Sequence, residues 1–130
     1  MSPPETSRQR LGRWALAVAF VAAGMLHVVV PEAYLAIMPP YVPAPRAMVL
    51  WSGVAEVAGG LGLLWRAGPL RRAAGWGLAL LLVAVYPANV QMALDGEGWG
   101  LWARLPLQGP LVAAVLAASG ALSRWLRGTR

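Results

Sequence analysis

The chain has 130 residues, of which 58% are hydrophobic and 12% charged, and its formal net charge is +6. Soluble domains are roughly 45–50% apolar. The composition therefore indicates an integral membrane protein, long enough for about four helical spans of ~20 residues and too short for a separate soluble catalytic domain. The chain contains no cysteine, which excludes thiolate nucleophiles, iron–sulfur clusters and cysteine zinc sites within it.

Apolar runs divide the chain into a single predicted domain. Residues 1–10 are polar and are predicted to form a disordered cytoplasmic N-terminus, and residues 127–130 a cytoplasmic tail. Between them, residues 11–126 predict one all-α membrane domain, a bundle of four transmembrane helices. The predicted spans are residues 11–30, 47–65, 73–92 and 105–126.

Two segments of this domain have features beyond those of a plain membrane span. The first span begins like a signal peptide, but its apolar stretch continues past the small residues at 22–24, which favours a retained span. The first connection, residues 31–45, carries five prolines and is predicted to lie at the membrane interface, with one short helix near residues 32–37.

The arginines predict the orientation of the bundle. All eleven basic residues are arginines, and they lie at the ends of the apolar runs. If the spans alternate, nine arginines share one side and only Arg46 and Arg104 lie on the other. The positive-inside rule then predicts cytoplasmic N- and C-termini in a multi-pass protein of the cell inner (plasma) membrane. Charge in these positions is typical of contact with membrane lipid, and we expect no nucleic-acid partner.

Glu56 is the most informative residue, because a carboxyl group near the bilayer centre costs on the order of 3 kcal/mol or more. It lies ten residues after Arg46, or about 15 Å along a helix. Strongly polar residues from all four spans fall at similar depth, so we predict one polar pocket in the outer half of the bundle. Its predicted ligand-binding residues are His27, Ser52, Glu56, Asn89, Arg104 and Gln108. No catalytic residue is assigned, and no metal site is expected.

The same residues admit purely structural roles. A pair between Glu56 and His27 or Arg104 can simply hold helices together, a contact worth only ~1 kcal/mol in membranes. Arg104 can be a boundary charge whose side chain reaches the interface. Asn89 follows Pro87 closely and can cap an interrupted helix.

Four short stretches resemble the DoxX-like family of small four-helix membrane proteins. They are residues 24–31 (GMLHVVVP), 52–56 followed by 59–64 (SGVAE and GGLGLL), 86–89 (YPAN) and 104–108 (RLPLQ). The resemblance implies an association with respiratory or sulfur redox systems, in which some relatives are membrane subunits of a thiosulfate:quinone oxidoreductase. It carries no agreed set of catalytic residues.

Three functions fit these observations. The first is a redox-associated, quinone-linked membrane subunit similar to DoxX. It would be catalytic only within an oxidoreductase complex, with a quinone as its non-covalent cofactor and a redox enzyme as its partner. The second is a non-enzymatic binding or assembly protein that acts on another membrane protein through its pocket or outer loops. The third is a small transporter. Because one copy has only four short spans without visible repeats, such a transporter would have to be a homo-oligomer.

Overall fold

The computed structural model describes residues 4–96 and 99–129, which form six α-helices and no β-strand. Four helices are long: α1 (Ser7–Val29), α3 (Pro45–Leu64), α4 (Pro69–Asp95) and α5 (Trp99–Ser119). Two short helices complete the chain: α2 (Pro31–Leu35) and α6 (Ala121–Gly128). The prediction of an all-α bundle is confirmed.

Three helices, α1, α3 and α4, are each long and apolar enough to cross a membrane. The fourth predicted span, residues 105–126, is not one straight helix. It is a pair, α5 and α6, bent by 83° at Gly120, and it qualifies as a span only when the two are taken together. Gly120 has a φ of +77°, a left-handed conformation that glycine adopts without steric penalty.

The helix boundaries differ from the predicted ones mainly at the N-terminus. α1 begins at Ser7, inside the segment predicted to be disordered. Thr6 and Gln9 form a capping box, in which each side chain accepts a hydrogen bond from the other residue's backbone N–H. Residues 1–3 and Arg130, also part of predicted termini, lie outside the described residues.

Glycine contacts bring the long helices together. A Cβ added at Gly24 would lie 2.5 Å from the carbonyl oxygen of Gly53, so α1 and α3 approach at backbone contact. Gly59 on α3 instead makes room for a side chain of α4, since a Cβ added there would lie 2.5 Å from Leu78 Cδ2. The core lies where these helices meet α5, and its fully buried members include Leu63 and Val115.

The surface of the bundle is strongly apolar. Large side chains on every long helix are more than half exposed, among them Leu11, Trp51, Leu80 and Leu107. Monomeric soluble proteins rarely leave so much contiguous apolar surface in water, whereas lipid covers such a surface without cost. The exposed surface and the helix lengths together suggest a membrane protein.

Consecutive long helices run in alternating directions, which gives the bundle two distinct ends. The start of α1, the end of α3, the start of α4 and the end of α5 meet at one end, where Arg13, Arg71, Arg72 and Arg124 surround a common space. We call this the arginine-rich end. The opposite end, where His27 and Glu56 lie, is called the pocket end.

Candidate functional site

A cavity of about 660 Å³ opens at the pocket end of the bundle. Its walls come from α1, α3, α4 and α5, and α2 with the residues after it covers one side. Most of the wall is aliphatic or aromatic, as is usual for small-molecule sites. The structure brings all six sequence-predicted pocket residues to this cavity: His27, Ser52, Glu56, Asn89, Arg104 and Gln108.

His27 and Glu56 form the polar centre of the cavity. Both are buried, each with 8% of its surface exposed, and His27 Nδ1 lies 3.4 Å from Glu56 Oε2. The same nitrogen lies 2.9 Å from the carbonyl oxygen of Ala23, one turn earlier on α1. Because a carbonyl can only accept, Nδ1 carries the hydrogen and donates it to Ala23.

This arrangement leaves the carboxyl group of Glu56 incompletely paired. Its Oε2 atom is fully buried and has no hydrogen-bond partner among the described residues. A buried oxygen that lacks a donor costs about 1–3 kcal/mol, more if it is charged. Glu56 is therefore a group that a bound donor, or a transferred proton, would stabilise.

Tyr34 belongs to the site and was not among the predicted pocket residues. Its ring stacks on the imidazole of His27, with centroids 3.7 Å apart and an interplanar angle of 24°. Burial, followed by the nearby charge of Glu56, raises the pKa of the Tyr34 hydroxyl, so the phenol keeps its proton and remains a donor. Tyr34 lies seven positions after His27, a spacing that would indicate one helix face if α1 and α2 were continuous.

Asn89 and Gln108 tie α4 to α5 beside the cavity. Asn89 Nδ2 donates to Gln108 Oε1 over 2.8 Å, and Gln108 Nε2 in turn donates to the backbone carbonyl of Leu82. That carbonyl lies in the turn before Pro87, where the proline ring disturbs the helical hydrogen bonds. α4 nevertheless continues through Pro87 to Asp95, so Asn89 does not cap an interrupted helix.

Ser52 and Arg104 contribute less directly. The hydroxyl of Ser52 donates to the Val49 carbonyl of its own helix, 2.9 Å away, and so is engaged by its own backbone. Arg104 is exposed at the rim, with Nη1 3.7 Å from Met92 Sδ. Among the described residues it forms no ion pair with Glu56, whose basic neighbour is His27.

The polar groups that face the cavity suit hydrogen bonding and proton transfer better than metal binding. Within the part of the chain that the structure describes, no three His, Asp or Glu side chains converge on a point. One buried acid, one imidazole and one phenol lie together instead, in a wall that is otherwise mainly apolar.

Residues 16–119 match the family described as "Domain of unknown function (DUF8561)". The chain belongs to this family. The matched region contains every residue that lines the cavity, from Leu16 to Leu111. No curated protein and no solved structure matches the chain.

Proposed function

We propose that the chain is a redox-associated subunit of the cell inner membrane, whose cavity at the pocket end binds a quinone-like head group. The observation that carries the proposal is the buried His27–Glu56 pair in an otherwise mainly apolar cavity, with Glu56 Oε2 lacking a donor. A quinone head group needs an apolar slot, hydrogen-bond donors for its oxygens and a group that exchanges protons. The resemblance of residues 24–31 and 52–64 to DoxX-like proteins supports the redox association.

The proposed orientation places both termini in the cytoplasm and the pocket end toward the outer face. At the pocket end, the exposed pair of Arg46 and Glu32, 3.0 Å apart, contributes no net charge. At the arginine-rich end, five arginines line a common space, and among the described residues Glu5 is the only acid that lines it. The positive-inside rule assigns an end of this kind to the cytoplasm.

The residues of the cavity would have different roles toward a bound head group. Tyr34, whose hydroxyl keeps its proton, is placed to donate to a bound oxygen, and Arg104 at the rim can do the same. Glu56 would exchange a proton with the bound head group, and His27 beside it would stabilise the ionised carboxylate. When bound, a quinone would supply the redox chemistry, in which two electrons from a redox-enzyme partner and two protons would be needed for each quinol formed.

The experiment measures binding of a short-chain quinone, such as decylubiquinone, to the purified protein in detergent. Glu56→Gln keeps the size of the side chain and removes its ability to exchange a proton, and His27→Ala removes its neighbour. Glu32→Gln is the matched control, because Glu32 is an exposed acid at the same end that does not line the cavity. We expect the first two variants to lose binding or the shift in quinone midpoint potential, and the control to keep both. Equal binding by Glu56→Gln and the unaltered protein would refute the proposed site.

A second candidate function is binding or assembly of another membrane protein. The specific observation is Tyr41, which is 73% exposed in the proline-rich connection after α2. Residues of this connection, including Met38, also cover the cavity, so the same segment could present a partner-binding surface. This function predicts that a partner protein still co-purifies with the Glu56→Gln variant but no longer with Tyr41→Ala. The quinone function predicts that quinone binding is lost in Glu56→Gln and kept in Tyr41→Ala.

A further inference from the structure

A second and larger cavity, of about 1040 Å³, lies at the arginine-rich end. It is bounded by the start of α1, the start of α4, the end of α5 and α6. The charged side chains that line it are Glu5, Arg13, Arg71, Arg72, Arg124 and Arg127. None of them belongs to the cavity at the pocket end.

The positive charge of this cavity is only partly compensated. Glu5 binds Arg13 through two hydrogen bonds, to Nε at 2.9 Å and Nη2 at 3.0 Å. Arg13 Nη1 donates to the carbonyl oxygen of Leu63 over 2.8 Å, so each of the three guanidinium nitrogens makes a hydrogen bond within the protein. No acid other than Glu5 lines the cavity among the described residues.

Arg71 provides the most specific indication of a missing partner. Its Nε atom is fully buried and has no hydrogen-bond partner among the described residues. A guanidinium presents its donors in a planar fork that matches phosphate oxygens, and it is costly to bury without such a partner. Arg72 and Arg124 line the same space and add two further guanidinium groups.

α6, which borders this cavity, has the residue pattern of a helix that lies at a membrane surface. The 83° bend turns α6 away from the direction of α5. Leu122, Trp125 and Leu126 recur at helical spacing on one face, and the latter two are about half exposed. Arg124 lies on the other face, against the cavity. An apolar face opposite a basic one is typical of a helix that lies in the lipid interface.

An apolar path leads from the arginines along the bundle. Leu16 and Ala19 line both cavities, and Ala114 and Ala118 of α5 line the other side of the path. Among the described residues, the close backbone contacts made at glycines hold α1 against α3, and none of them holds α1 against α5. The cleft between α1 and α5 can therefore hold a hydrocarbon chain, which a soluble phosphate compound does not have.

We propose that the cavity at the arginine-rich end binds an anionic phospholipid, with its phosphate held by Arg71, Arg72 and Arg124 and one acyl chain in the cleft between α1 and α5. Basic pockets between membrane helices on the cytoplasmic side suit such head groups. The site is separate from the proposed quinone site, and either can fail without the other.

The experiment is native mass spectrometry of delipidated protein, titrated with phosphatidylglycerol, with phosphatidylcholine of the same chain length, and with inorganic phosphate. We expect phosphatidylglycerol to bind at least tenfold more tightly than either of the other two. The double variant Arg71→Gln/Arg72→Gln should weaken its binding roughly 30-fold, since each arginine near the surface contributes about 1 kcal/mol. Arg124→Gln, on the exposed helix α6, should weaken it several-fold and is the second variant if the double variant does not fold.

Arg66→Gln is the matched control. Arg66 is exposed in the connection between α3 and α4, at the same end, and does not line the cavity. It should bind phosphatidylglycerol as the unaltered protein does. Equal binding of phosphatidylglycerol and phosphatidylcholine would overturn the proposal. So would an equal loss of phosphatidylglycerol affinity in Arg66→Gln and Arg124→Gln, because surface charge in general, and not the cavity, would then explain the binding. Phosphate binding as tight as that of the lipid would overturn the assignment to a lipid.

Discussion

The close approach of α1 and α3 predicts a large effect of Gly53→Ala. Gly53 lies three residues before Glu56 on α3 and faces His27 on α1. A Cβ at this position would lie 2.6 Å from His27 Cβ and 2.8 Å from the Gly24 carbonyl oxygen. Neither atom is the end of a flexible side chain, so the substitution must separate the two helices.

The magnitude follows from these distances. Ordinary contact begins at 3.4 Å, so the helices must part by about 0.8 Å around His27. Overpacking of this kind costs typically 1–3 kcal/mol. Alanine is the better helix former by about 1 kcal/mol, which offsets part of the loss. We expect a net loss of up to about 2 kcal/mol in the free energy of unfolding, and a wider gap between His27 Nδ1 and Glu56 Oε2.

The assay is unfolding of the protein in mixed micelles by titration with sodium dodecyl sulfate, followed by tryptophan fluorescence. Gly77→Ala is the matched control, because a Cβ added at Gly77 meets nothing within 4 Å. The control should gain roughly 0.5–1 kcal/mol from helix propensity alone, so the two variants should change stability in opposite directions. Equal effects of Gly53→Ala and Gly77→Ala would refute the packing of α1 against α3 described above.

Three further changes have defined outcomes. The hydrogen bonds from Arg13 hold the pKa of Glu5 below its ordinary value. The pair therefore stabilises the fold fully above the unfolded-state pKa of Glu5, and this stabilisation is lost as the pH falls through the lower folded-state pKa. When unfolding midpoints are measured against pH, Glu5→Gln should remove this decrease on the acid side. Gln108→Ala leaves the amide of Asn89 without its partner and should lower the free energy of unfolding by about 1 kcal/mol in the same micelle titration, and an unchanged midpoint would contradict the tie between α4 and α5. Gly120→Ala forces a side chain into a left-handed conformation at a φ of +77° and should cost about 1–2 kcal/mol, whereas no change would indicate that the bend does not need glycine.

The helices could be predicted from the sequence because lipid-facing helices are apolar on all sides and end at charges or prolines. The predicted second span, residues 47–65, differs from α3 by two residues at its start and one at its end. The bend at Gly120 was not predicted, because residues 105–126 satisfy the same hydropathy criterion whether the helix continues or turns. Gly120 followed by Arg124 was the available signal, since glycine often ends a helix and charge favours the interface.

The pocket residues could be placed at one end because helical rise converts residue number into depth. Sequence position does not determine rotamers, so the partner of each side chain could not be predicted. Ser52 bonds to its own helix and Arg104 stays at the rim, although both line the predicted cavity. Tyr34 was missed because its place over His27 depends on how the chain turns after Val30, a tertiary feature without a local sequence pattern.

The two proposed ligands would share one wall of the bundle, because Leu16 and Ala19 line both cavities. The core on the other side of α1 is closely packed, since Ala17 and Leu63 are completely buried there. A hydrocarbon chain that enters the cleft from either end therefore takes space from a chain entering from the other. Coupling between two sites is reciprocal, so each long-chain ligand should weaken the binding of the other by the same factor. A short-chain quinone should escape this competition, and an equal effect of saturating phosphatidylglycerol on short- and long-chain quinones would show that the cleft is not shared.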